Sequence, residues 1–174
     1  MGERLREIVE SIQASRGRLL DAISRLDQPA LDRTPASGGW SVGEVLHHLL
    51  LMETSVTRLL ERQVTRAVGR RAAQETSTAS MLGSLDQFAV ETAPDRIVAP
   101  QGFLPARGMG KQELLDGLAA SRETLLRVTD RAGSIDLAQL LFPHPVLGRL
   151  NMYQWVLYIG QHELRHLHQI ERTL

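Results

Sequence analysis

The chain has 174 residues, 43% of them hydrophobic, which is enough to bury one sizeable core and makes a single domain over residues 1–174 the expectation. Twenty basic residues balance twenty acidic ones, so no global charge favours nucleic acid or an anionic membrane surface as a partner. The absence of cysteine removes disulfides, thiolate metal sites and a cysteine nucleophile, leaving His, Asp and Glu to hold any metal.

The N-terminal MGERLREIVESIQ is charged and amphipathic rather than a basic stub ahead of an apolar run. No later stretch approaches membrane-spanning length, and the expected location is cytoplasmic. From Glu3 to Leu26, Leu5, Ile8, Ile12, Leu19, Ala22, Ile23 and Leu26 recur at helical spacing and define a first helix with one buried face. Asp27 to Trp40 holds two prolines and the Gly38-Gly39 pair and reads as a loop. It leads into Ser41, which with Glu44 forms a capping box that starts a second helix. Val42, Val45, Leu49, Met52, Val56 and Leu59 carry its stripe, which weakens in the arginine-rich run from Arg62 to Arg71.

An irregular crossover follows from about Ala72 to Gly110, containing Pro94, Pro100 and Pro105, with room for one short helix around Met81 to Phe88. Lys111 to Val128 is a third helix, with Leu114, Leu115, Leu118, Leu125 and Leu126 inward. PHPVLGRL reads as a proline and glycine loop, and Asn151 caps a fourth helix running to Thr173. Four long helices with no convincing period-two strand predict an all-α four-helix bundle. The long crossover lets the second and third helices run parallel, giving an up-down-down-up order.

At about 100° per residue, Trp155, Ile159, His162, His166 and Thr173 share one narrow sector of the last helix. Two imidazoles four residues apart on an inward face can converge on one ion. An isolated pair of this kind is more often two buried histidines bonded to carbonyls, but its place in the core stripe favours ligation. A third ligand must come from another helix. His48 sits about 60° from the stripe centre of the second helix, whereas His47 lies nearly opposite and should meet solvent. His48 is roughly 10 Å inside the start of its helix and His166 about 12 Å from the end of the last, so an antiparallel pair brings them level. His168 points off the face and His144 falls in a loop, so neither is counted as a ligand.

WSVGEVLHHL from Trp40, FPHPVLGRLNMYQW ending at Trp155 and HELRHLHQI from His162 resemble, in order and separation, the DinB/YfiT-like superfamily of metal-binding four-helix bundles. The resemblance spans roughly Gly39 to Leu174, and APQGFLPARGMGKQELLDGLAASRETLL is similar to that family's crossover and third helix. It implies a divalent metal on His48, His162 and His166. Bacillithiol- and mycothiol-dependent transferases and isomerases belong to the family, and many members are dimers, so a homodimer is the expectation here.

His162-Glu163-Leu164-Arg165-His166 also satisfies HExxH, the zinc metalloprotease motif in which Glu is the general base. That reading lacks a downstream third ligand, since only eight residues follow His166, and it lacks a strand to hold a peptide. Three neutral imidazoles leave coordination positions open, as in a catalytic centre. Zinc or nickel suits such a site, and manganese and iron are compatible with it. A bound thiol would become a nucleophile there, and a bound water could be activated instead. The preferred expectation is transfer of a low-molecular-weight thiol to a small electrophile; the alternatives are a metal-dependent hydrolase using Glu163, or a bundle that binds metal or a partner without catalysis.

Gln169 shares the face of the two histidines and is placed to orient one of them, or is simply a polar residue near a bundle end. Arg122 falls inside the apolar stripe of the third helix and needs an anionic partner, either a carboxylate such as Glu44 or Glu53 or an acidic substrate. Trp40, Trp155, Val98 and Phe103 can cover the pocket or a dimer interface, although such residues in a bundle are more often core or loop anchors.

Overall fold

A computed structural model describes residues 1–36, 38–92 and 99–172. Pro94 and Val98 of the crossover and Thr173 of the last stripe lie outside those residues. The first predicted helix is α1, Glu3–Ile23, with Leu5, Ile8, Ile12, Leu19 and Ile23 buried along one face. The segment read as a loop holds a short helix, α2, Gln28–Asp32. The Asp27 side chain accepts from the Ala30 N–H at 3.0 Å and Pro29 stands in the first turn, where proline's missing N–H costs nothing.

The predicted capping box is present at the start of α3, Val42–Gly69: Ser41 Oγ accepts from Glu44 N–H at 3.2 Å and Glu44 Oε2 from Ser41 N–H at 2.9 Å. This helix continues through the arginine run because Leu60, Val64 and Ala67 keep its buried stripe alive at spacings of four and three. Helix α4, Lys111–Ala132, runs one turn past Val128, and α5, Met152–Glu171, is capped by Asn151 as expected. A 3-10 turn at Leu82–Phe88 fills the place of the short crossover helix.

The proline and glycine loop before α5 is a β-hairpin, which corrects the expectation of no strand. Strand β1, Leu141–His144, pairs antiparallel with β2, Gly148–Asn151, in the register Leu141 to Asn151 and His144 to Gly148. Only His144 and Leu150 are buried on it, so no alternation marks the strands in the sequence. Both strands are edges, where Pro143 is tolerated.

Side-chain contacts set the helix directions. Arg4 lies over the Tyr153 ring at 4.7 Å and Arg16 pairs with Glu163, so α1 and α5 run parallel. Arg122 pairs with Glu53 and Arg131 with Glu61, so α3 and α4 run parallel. Lys111 reaches the carbonyl of Leu26 while Arg122 reaches that of Ile12, so α1 and α4 are antiparallel. The order is up-down-down-up, with the crossover between α3 and α4, as the loop length predicted.

The apolar core falls into two parts. One gathers Ile12, Val56, Leu125 and Ile159 with the hairpin residue Leu150; the other gathers Leu19, Leu49, Leu118 and Ile170. Arg16, Glu53, Arg122 and Glu163 occupy the level between them. The α1 and α5 backbones approach closely at Gly160, where an added Cβ would stand 3.0 Å from both Ile12 Cγ2 and Ser15 Oγ. Gly160→Ala gains helix propensity but forces this contact apart, and a net loss of about 1 kcal/mol is expected in urea unfolding.

Candidate metal centre

The second turn of α3 and one face of α5 bring His48, His162 and His166 together. Each is no more than 5% exposed, and their ligand-capable nitrogens all lie within 4.8 Å of one another. The Nε2 atoms of His162 and His166 are 3.2 Å apart. A tetrahedral centre with metal–nitrogen bonds of about 2.0–2.1 Å places its ligand nitrogens about 3.3 Å apart, so the α5 pair already has ligand spacing.

Partners outside the triad set which ring nitrogen faces inward. His166 Nδ1–H donates to Gln169 Oε1 at 2.8 Å, and His48 Nδ1–H donates to the Phe103 carbonyl at 2.8 Å. Both rings therefore present the Nε2 lone pair that ligation needs. Trp40 covers the cluster, 4.8 Å from the His48 ring and stacked 6.4 Å from His166. His47 is half-buried rather than solvated: its Nδ1 accepts from the Ala106 N–H at 2.8 Å. With the Arg107–Glu44 ion pair at 3.0 Å, the two histidines fasten the crossover segment 103–107 onto the start of α3.

The triad sits in the wall of a cavity of about 660 Å³. Trp40, Phe103 and Trp155 line it, as do Met52, Val56 and Tyr158. Arg165, 8% exposed, also lines it, and its positive charge opposes protonation of both His48 and His162. His144 lies on β1, buried against the same cavity and not in an irregular loop. His168 is half-buried, with Nε2 3.9 Å from Glu91 Oε1, and is no part of the cluster.

Glu163 is turned to a different task from the one HExxH suggests. Its Oε1 accepts from Arg16 Nε at 2.7 Å and from Arg122 at 3.0 Å. Glu53 accepts from the same two guanidiniums at 2.6 and 2.9 Å. Two cations and two anions, all at most 6% exposed, thus form a buried quartet, in which both arginines meet Glu163 at Oε1 while its buried Oε2 has no hydrogen-bond partner among the described residues. Arg122 has found Glu53, one of its two anticipated partners, whereas Glu44 is held by the capping box and Arg107. Arg16 was missed, although it falls four residues after Ile12 and three before Leu19, in the middle of a buried stripe.

Burial lowers the pKa of His48 and lowers that of His162 well below the ordinary imidazole value; for His162 the neighbouring His166 and His48 add to the effect. Burial also brings His144 down to about 4. Between about pH 4 and 6.5 the unfolded chain holds protons that these folded histidines do not, so stability falls as pH is lowered through that window. Burial pushes Glu163 upward, which acts in the opposite sense. For chelator-treated protein the urea midpoint should drop between pH 7.5 and 5, with about 2 kcal/mol of the loss coming from His144 alone.

Both the sequence and the fold have known counterparts. The family model of the DinB superfamily matches residues 11–170, and the chain belongs to that superfamily. It is similar to the uncharacterized protein YuaE of Bacillus subtilis (strain 168), with 27% identity over 146 residues that cover 84% of each chain. Its fold is also that of the crystal structure of TT2238, a four-helix bundle protein, at a TM-score of 0.66 and 23% identity, covering 97% of this chain and 98% of the other.

Proposed function

We propose that His48, His162 and His166 hold a divalent metal, zinc or nickel, and that the protein transfers a low-molecular-weight thiol to a small, largely apolar electrophile. The observation that carries this reading is the opening of a buried three-histidine cluster onto a large cavity with mostly apolar walls. Three imidazoles leave room for exogenous ligands, and a divalent cation there would lower a thiol's pKa and keep it as thiolate at neutral pH.

The protein's own groups supply position and environment. Gln169 and Phe103 hold two imidazoles in the ligating tautomer. The Tyr158 ring lies stacked on His162 at 5.2 Å and 16°, fixing its plane, and burial keeps the Tyr158 hydroxyl protonated by pushing its pKa up to about 12. The apolar walls exclude water that would compete with the sulfur. Transfer forms a carbon–sulfur bond as the leaving group departs with its electron pair, and the thiol proton passes to solvent.

A hydrolase reading through Glu163 is disfavoured by this geometry, since both guanidiniums of the quartet hold its Oε1 and keep the carboxylate paired within the bundle core. Cobalt substitution tests the proposal. Adding 2-mercaptoethanol or cysteine to the cobalt form should produce a sulfur-to-metal charge-transfer band, and no spectral change with either thiol would end the thiol reading.

A further inference from the structure

His144 is a buried imidazole with a task the metal cluster does not use. Its Nδ1 accepts two backbone N–H groups across the hairpin turn, from Val146 at 3.2 Å and Leu147 at 3.1 Å. Backbone amides can only donate, so this nitrogen must keep its lone pair and the single ring proton must sit on Nε2. Among the described residues no protein group bonds to that Nε2–H, and the residue, 8% exposed, lines the cavity.

The ring is also fixed in place. It packs 5.0 Å from Trp155 and edge-on to Tyr158 at 4.8 Å, and Tyr158 in turn stacks on His162. A hydrogen-bond donor therefore stands on the cavity wall one tyrosine ring away from the three-histidine cluster, held by backbone and aromatic contacts before anything binds. The donor opens onto the cavity rather than being sealed from it, so a ligand filling that space would leave it unmatched unless it supplies an acceptor, and one that does gains over an isosteric one that does not. An imidazole that needed to accept or to carry charge would not have its Nδ1 tied up by two amides.

We infer that His144 is the polar anchor of the substrate cavity and that it selects an apolar molecule bearing an acceptor oxygen, a carbonyl compound, received on His144 Nε2–H. The inference rests on this cavity being the seat of the electrophile in the reading above, but it does not depend on the metal. It narrows that electrophile to an apolar carbonyl compound that carries the leaving group on its reactive carbon, with the oxygen held at the hairpin and the reactive carbon facing the histidine cluster.

The test uses the full chain in metal-free form with a matched pair of probes, acetophenone and ethylbenzene, which share an apolar body and differ in the acceptor. Acetophenone should bind about five- to tenfold more tightly, and the Nε2–H resonance of His144 in ¹⁵N-histidine-labelled protein should shift with acetophenone only. His144→Asn, whose Oδ1 can still accept from the turn amides, should abolish the preference. Equal binding of the two probes, binding of neither, a preference that survives in His144→Asn, or a His144 Nε2–H resonance in the parent that acetophenone leaves unmoved would overturn the inference. Because no metal is present, a negative result here is separable from failure of the cobalt and thiol experiment.

Discussion

Glu163→Gln is expected to destabilise the protein by about 3–5 kcal/mol, enough to remove a large share of the stability of an ordinary domain. The substitution is nearly isosteric, so packing is not the cause. In the native protein Arg16 and Arg122 share two carboxylates, Glu53 and Glu163, at a level of the bundle where apolar side chains stand above and below. Neutralising one carboxylate leaves two buried guanidiniums on a single anion, and water cannot reach them to compensate. The measurement is the urea midpoint of metal-free protein. If the HExxH reading held, the same change would leave the midpoint near that of the parent and abolish hydrolysis, so the two ideas predict opposite results for one variant.

The second large effect concerns the cluster itself. His162→Ala should weaken divalent metal binding by well over a hundredfold, because it removes one of three ligands, while Gln169→Ala should weaken it by about 10- to 100-fold, the usual consequence of losing a group that orients a ligand. Gln169 bonds to the Nδ1 side of His166, away from the ligating nitrogen, so its loss loosens that ring without removing a donor nitrogen. Competition titration against a chromogenic chelator reads both constants. Equal affinities for the parent and Gln169→Ala would show that the His166 orientation is set elsewhere, and parental affinity in His162→Ala would remove that residue from the ligand set.

Much of this arrangement was legible in the sequence because it follows from periodicity. The stripes of α1, α3, α4 and α5, the two capping residues Ser41 and Asn151, and the length of the crossover together gave four helices and their order. His48, His162 and His166 could be placed from helical angle and rise, since a helix turns by a fixed amount per residue. The hairpin was not legible. With four-residue strands, a proline in one of them and almost no alternation of burial, Leu141–Asn151 carries the composition of a loop, and pairing is decided by its docking on α5 through Leu150 and His144. His144 was discounted for the same reason, because its direction depends on a strand the pattern does not announce. Arg16 was passed over because a charged residue inside an apolar stripe looks like an interruption until its partners on α3 and α5 are in view. His47 was expected in solvent from its angle on α3, yet the crossover folds back over that face and supplies the Ala106 amide.

The most direct test of the central claim is elemental analysis of the protein purified without a histidine tag, with His48→Ala prepared alongside. Close to one divalent ion per chain in the parent, lost in a His48→Ala variant that keeps its helical circular dichroism, is the result expected from the buried triad. A parent protein that holds no metal, even after reconstitution with zinc and with nickel, would contradict it.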